Sequence, residues 1–331
     1  MRFLARLISL VFLCGIGLGG WFAWFATSPL PLAASPLDFS IVPGATLRAA
    51  SQQMAAAGLG FMPRQFELLG RALGRAADIK AGSYEVSQGI TPLELLDKLT
   101  RGDVTQAEIV FVEGKTVRQM RALLDSHQDL RHDTAGLSDR DLLARIGAGE
   151  AHAEGLFFPD TYLFAKQSSD VDVLRRAYRS MQTRLAAEWA GRDPALPYAS
   201  PYEALIMASI VEKETGQAAD RPKVAAVFVN RLKKGMLLQT DPTVIYGMGE
   251  NFDGNIRKYD LTADTPYNTY TRRGLPPTPI ALPGMASIQA ALHPPAIELY
   301  YFVARGDGSS VFSRTLDEHN RAVAKYQKRG G

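Results

Sequence analysis

Three stretches in the first third of the chain share one rhythm of apolar and polar positions. In VPGATL (42–47), SQGITP (87–92) and VEGKTV (112–117), a threonine follows a glycine by two positions and opens a helical pattern. Thr46, Thr91 and Thr116 are predicted N-caps, because a threonine hydroxyl accepts a hydrogen bond from the first helical turn. Pro92 falls at the first helical position, where its missing N–H leaves nothing unpaired. Apolar residues then recur at helical spacing, Leu93, Leu96 and Leu99 after one cap and Val117, Met120 and Leu124 after another. The runs FSIV, GSYEV and EIVFV before or between them read as short strands. Short strands alternating with short helices predict small α+β units across 38–130.

Further along, Ser138 is a predicted cap for a short helix through Ile146, and an amphipathic helix is expected from about Val171 to Trp189, ended by Gly191. PYEALIMASIVEKET (201–215) predicts a helix starting near Pro201, and RPKVAAVFVNRLKKG a second, capped near Asp220 and stopped at Gly235. LQTDPTVIYGMG (238–249), PYNTYT (266–271) and GLPPTPIALPG (274–284) are rich in Pro and Gly and read as loops. The polar stretch 127–140 is the expected domain boundary.

The N-terminus has a different pattern. Residues 7–26 are twenty uncharged residues. A helix of that length rises about 30 Å, the thickness of a bilayer's hydrocarbon core. Arg2 and Arg6 precede it and Trp21 and Trp24 lie near its far end, so 1–6 is expected in the cytoplasm and the rest of the chain outside. A cleaved signal peptide is the alternative, but the run exceeds a usual h-region and no A-x-A site directly follows. Residues 27–37 then form a Pro/Ser/Ala-rich linker, extended and semi-rigid.

Composition narrows the chemistry. Of 331 residues 46% are hydrophobic, enough for a sizeable core, and the net charge is only +3, with Lys and Arg scattered. No basic stripe points to nucleic acid. Cys14 is the single cysteine and the five histidines show no ligand spacing, so neither disulfides nor a metal or other cofactor is expected.

The candidate chemistry lies in SIVEKETG (209–216). On a helical wheel Glu214 is three, four and seven positions from Val211, Ile210 and Met207, inside an apolar stripe, whereas Glu212 points about 160° away towards solvent or a polar neighbour. A carboxyl desolvated at the negative end of a helix has a raised pKa and can serve as a general acid. A structural carboxylate paired with an arginine remains the alternative. Downstream, Gln239, Thr240, Asp241, Asn268 and Thr269 offer polar groups for hydroxyls and acetamides, and Tyr246, Tyr267 and Tyr270 offer flat faces for sugar rings, a composition suited to carbohydrate.

SIVEKET, FVNRLKKGM, LQTDPTVIYGMG, YNTYT, GLPPTPIALPG, EGLFFPDTY and KAGSYEV together closely resemble the YceG-like endolytic murein transglycosylases, from about Asp38 to the C-terminus. The resemblance implies an α+β architecture: a transmembrane helix (7–26), a LysM-like N-terminal subdomain (38–135) and a mixed α/β catalytic domain (136–331) with its acid at a helix end. It implies a lyase of the inner membrane that cuts the MurNAc–GlcNAc β-1,4 bond of nascent peptidoglycan strands, leaves 1,6-anhydro-MurNAc ends and works beside peptidoglycan synthases, the penicillin-binding proteins. Glu214, in the pair Glu214-Thr215, takes the place of the catalytic acid. A lysozyme-type hydrolase using Asp241 as nucleophile or base, and a non-catalytic wall-binding scaffold, are the rival readings. Residues 127–153 match no motif of the family.

Overall fold

The structure, a computed structural model, describes the backbone of residues 2–327 and, within that span, all side chains except those of residues 2–12, 14 and 18. Helices predominate over short strands in a mixed α/β chain. The chain forms two compact units. The first runs to Glu108 and takes back Asp129–Arg131 and Leu163–Ser168; the second holds Ile109–Gln128, His132–Tyr162 and everything from Ser169.

The first unit opens with α1 (Arg2–Thr27). Among the described residues no helix is long and apolar enough to cross a membrane. Much of the predicted span 7–26 rests on side chains that lie outside the described set. After α1 come β1 (Leu37–Ile41), α2 (Leu47–Ala56), α3 (Pro63–Ala72), β2 (Gly82–Val86) and α4 (Pro92–Arg101). β1 and β2 pair antiparallel with Phe39 opposite Tyr84, and strict alternation along β1 turns Leu37, Phe39 and Ile41 inward. Those residues join Met54, Phe66, Leu69, Leu95, Leu96 and Leu99 in one core. Thr46 and Thr91 cap α2 and α4 through Ala49 N and Glu94 N, as their spacing predicts.

The 27–37 linker, expected to be extended, is docked along 30–33 onto the rest of this unit. Leu30 N donates to Ile90 O, Gly60 N to Pro31 O and Ala33 N to Gly58 O. Phe25, Ala26 and Leu30 are buried in the same core. Apolar side chains at Leu30 and Leu32 give the segment surface to bury, and that outweighs the stiffness of its prolines.

Four short strands fall where the chain passes from one unit to the other: β3 (Gln106–Val110), β4 (Leu130–Arg131), β5 (Thr161–Ala165) and β6 (Ser168–Ser169).

The second unit contains α5 (Val117–Asp125), α6 (Asp139–Ile146), α7 (Asp170–Ala190), α8 (Pro201–Glu214), α9 (Arg221–Lys233), α10 (Asp241–Met248), α11 (Lys258–Thr262) and α12 (Met285–Leu292). The antiparallel pair β7 (Tyr301–Ala304) and β8 (Ser310–Ser313) and the helix α13 (Leu316–Tyr326) complete it. Thr116 and Ser138 cap α5 and α6 as predicted. Within the polar stretch 127–140, Thr134 is buried and donates through both its N–H and its hydroxyl to Asp170 Oδ2 at the start of α7.

Two expectations give way here. Asp220 precedes α9 but makes no cap; its carboxylate accepts from Ser310 N on β8, 2.7 Å away. Residues 241–248, read as loop, form α10, with Pro242 in its first turn. The Pro and Gly that read as loop punctuation are the start and stop of an eight-residue helix. α8 is the hub of the unit, packed by α7, α9, α10 and α12. Every residue from Ala204 to Val211 is buried, so the apolar surface wraps the helix rather than forming one stripe.

Candidate active site

The two glutamates at the end of α8 are parted by the elements beside them. Glu212 Oε2 accepts from Gly284 N (3.1 Å) and Ser287 Oγ (2.7 Å), both at the N-terminus of α12. It thereby supplies an anion to a helix start whose Gly284 provides no side-chain cap. Glu214, the last residue of α8, is half-buried and faces α10: the Thr240 hydroxyl donates to its Oε2 at 2.7 Å. α8 stops because Thr215 turns extended, and its hydroxyl accepts from Gln217 N.

Burial raises the Glu214 carboxyl above its ordinary value, opposed by the Thr240 hydroxyl. Asp241 pushes in the same direction as burial, and Arg231 against it. The site thus favours a protonated acid while keeping a hydrogen bond ready for its conjugate base.

Thr240 is 2% exposed and held from behind, since its N–H donates to Thr269 Oγ1, which pairs in turn with Thr243 Oγ1. Gln239, just before it, is exposed at φ 51°, a left-handed conformation uncommon for a side-chain-bearing residue, and its N–H donates to Thr269 O. Asp241 is exposed and accepts from Tyr270 OH at 2.6 Å. The Tyr270 phenol is pushed up by burial and then by Asp241. Glu214, Thr240, Asp241, Thr269 and Tyr270 therefore form one connected group.

The other predicted residues flank this group without joining its side-chain network. Asn268 is buried, and its amide donates to the carbonyls of Asp260, Leu261 and Ala263 while accepting from Tyr270 N. Its polar atoms shape the loop and are not offered to a ligand. Tyr246 and Tyr267 meet edge to face, centroids 5.0 Å apart, on the far half of α10 from Glu214. Gly247 allows that contact, because a Cβ there would lie 2.9 Å from Tyr267 Cβ.

Two residues that no pattern singled out complete the picture. Arg231 of α9 is buried, donating from Nε to Tyr300 O and from Nη1 to Leu238 O, both 2.7 Å; it fixes the backbone leading into Gln239 and Thr240. Glu154 is 7% exposed and bridges α5 to α10: Oε1 accepts from Val117 N (3.0 Å) and Oε2 from Tyr246 OH (3.1 Å). Burial lifts its pKa to about 7 against those hydrogen bonds. Gly155 beside it has φ 80° and lies so near Pro279 that any side chain would collide. The glutamate–glycine pair of EGLFFPDTY thus places a carboxylate and lets the 274–284 loop close on it.

A model of the YceG-like family matches residues 39–325. The chain belongs to that family. It is 36% identical over 268 residues to an endolytic murein transglycosylase of Bacillus subtilis, an alignment covering 76% of this chain and 74% of that protein. An endolytic murein transglycosylase of Streptococcus pneumoniae is 25% identical, over 96% of this chain and 64% of its own length. A YceG-like protein of Listeria monocytogenes, solved by crystallography at 2.6 Å, matches with a TM-score of 0.55 and 29% identity, over 87% of this chain and 98% of that one. Both glutamates of SIVEKET and the Glu154-Gly155 pair fall inside the YceG-like match.

Proposed function

We propose that this YceG-like chain is an endolytic murein transglycosylase with Glu214 as its acid and base. The observation that carries the reading is the placement of Glu214 at the end of a buried helix, with a raised carboxyl held by Thr240. The names of the curated relatives support the substrate, peptidoglycan glycan strands.

The steps balance around one carboxyl group. Protonated Glu214 gives its proton to the oxygen of the MurNAc–GlcNAc β-1,4 bond as the muramyl C1–O bond breaks. The muramyl C6 hydroxyl then attacks C1, and its proton passes to the Glu214 carboxylate, which restores the acid. No water is consumed, and the new end is a 1,6-anhydro sugar. An intramolecular hydroxyl replaces the separate nucleophile of a two-carboxylate glycosidase. The Thr240 hydroxyl stabilises the carboxylate form between the two transfers.

The uncharged run at 7–26 behind Arg2 and Arg6 supports a single-pass anchor in the inner membrane, with the two units outside. The strand–helix–helix–strand order of β1, α2, α3 and β2 supports a LysM-like, glycan-holding role for the first unit. An anchored enzyme meets nascent strands, so peptidoglycan synthases are its expected neighbours.

Mass spectrometry of digests of uncrosslinked strands tests the chemistry. Internal cleavage with muramic ends lighter by one water is expected. Reducing muramic ends would falsify the lyase and indicate a lysozyme-type hydrolase, and intact strands would indicate a scaffold.

A further inference from the structure

Glu154 stands apart from the Glu214 group yet is joined to it through one helix. Tyr246, its partner, lies six residues after Thr240, about 9 Å along the axis of α10. Around Glu154 the second unit has a cavity of about 500 Å³, lined by Arg118, Arg121, Tyr246, Tyr267 and Thr278 among others. A second cavity, about 900 Å³, shares Arg118, Glu154 and Tyr246 with it and extends along α10 over Pro242, Ile245 and Phe252. Both volumes lie in the range of sites that bind small molecules.

The walls have a definite chemistry. Glu154 accepts from Val117 N at the start of α5, from the Tyr246 hydroxyl and from the Gly155 N–H, and since two carboxyl oxygens offer about four acceptor positions, room for another donor remains. Such a group suits a hydroxyl or an amide N–H. Tyr246 supplies an aromatic face at the junction of the two cavities, and the Tyr267 hydroxyl is already committed to Thr278 at 2.9 Å. The arginines are largely spoken for: Arg118 pairs with Glu250, and Arg121 with Asp139 and the Leu137 carbonyl. Asp125, Asp139 and His152 also line the first cavity and Glu250 and Lys213 the second, Lys213 donating to the Gly114 carbonyl. With its arginines paired and several carboxyl groups beside an aromatic wall, the lining fits a neutral polar ring better than an anionic group.

We propose that the paired cavities around Glu154 are a sugar subsite distinct from the point of cleavage, taking an N-acetylated hexosamine of the strand, with Glu154 as its hydrogen-bonding anchor and Tyr246 as its wall. The proposal rests on the reading of the chain as a glycan-cleaving enzyme. An enzyme that cuts within a strand has sugars on both sides of the cut, and binding energy gathered away from the reacting bond can be used to orient it. α10 is the structural link, with Thr240 against Glu214 at one end and Tyr246 against Glu154 in its second half.

The experiment uses the full-length chain in detergent carrying Glu214→Gln, titrated calorimetrically with the N-acetylglucosamine tetramer. Saturable binding is expected, weakened tenfold or more by Glu154→Ala and by Tyr246→Ala, with Glu154→Gln intermediate because an amide oxygen still accepts. Melting curves select variants that remain folded, and Tyr267→Ala provides a second wall variant should Glu154→Ala unfold. No tetramer binding, parental binding by the folded variants, or displacement of tetramer by free stem peptide alone overturns the subsite. Strand cleavage by the chain with Glu214 intact is scored separately. Cleavage by the parent with KM unchanged in Glu154→Ala removes the subsite and leaves the enzyme reading standing. Tetramer binding that depends on Glu154 without any cleavage does the reverse.

Discussion

The hydroxyl of Thr240 reaches Oε2 of Glu214 at 2.7 Å, across from the N-terminus of α10 to the C-terminus of α8. The bond lowers the pKa that burial raises. It therefore sets how far into the alkaline range Glu214 stays protonated. Thr240→Val is expected to reduce kcat roughly ten- to a hundredfold, the worth of a hydrogen bond to a charged group. It should also move the alkaline limb of the pH–rate profile upward, since a lowering influence is removed. Thr240→Ser should restore both. An unmoved limb in Thr240→Val would count against Glu214 as the titrating acid.

Asp241 acts with the opposite sign. Its charge raises the Glu214 pKa, so Asp241→Asn is expected to move the same limb downward. The variant also disturbs the acceptor of Tyr270 OH, and KM should rise. Measurable turnover should survive, whereas Glu214→Gln should show none. Asp241→Asn as inactive as Glu214→Gln would support a second essential carboxylate and the hydrolase chemistry.

Glu212 is expected to matter for stability rather than turnover. Glu212→Ala leaves Gly284 N and Ser287 Oγ without their acceptor and should destabilise the second unit by about 1–3 kcal/mol in urea unfolding. Glu212→Gln keeps an acceptor oxygen and should cost less. Activity per folded molecule should stay near the parental level in both.

Glu154 predicts a pH dependence of stability. Its pKa is about 7 in the folded chain against an ordinary 4.5, so the folded state holds the proton more tightly. Stability is then greatest below the unfolded value and declines as pH rises through about 7, by at most about 3 kcal/mol. Glu154→Gln should flatten that part of the melting temperature profile between pH 5 and 7. A wild-type profile of identical slope to the variant's would show that Glu154 ionises normally.

Local chemistry was readable in advance where neighbours in sequence decide it. The caps Thr46, Thr91, Thr116 and Ser138 depend on a hydroxyl and an N–H three residues apart, and all four form. The divergence of Glu212 and Glu214 followed from helical geometry, although the burial of α8 on every side meant that α12 and α10 decided where each carboxylate went. The rest depended on distant partners. Glu154 finds Tyr246 ninety-two residues on, and Arg231 finds a carbonyl sixty-nine residues on. Nothing near Asn268 reveals that its amide would be used up on the loop at 260–263. α10 was obscured by its own punctuation, because Pro242 and Gly249 mark a turn as readily as the two ends of a short helix.

The docking of residues 25–33 onto the first unit has a mechanical consequence. With Phe25 and Leu30 in the core and Leu30, Ala33 and Gly60 engaged in backbone hydrogen bonds, the end of α1 is packed into the first unit rather than joined to it by a loose tether. A flexible leash of ten residues would let its load wander over a radius of about 17 Å. The docked segment removes that wandering and holds β1 and β2 at a fixed distance from the end of α1.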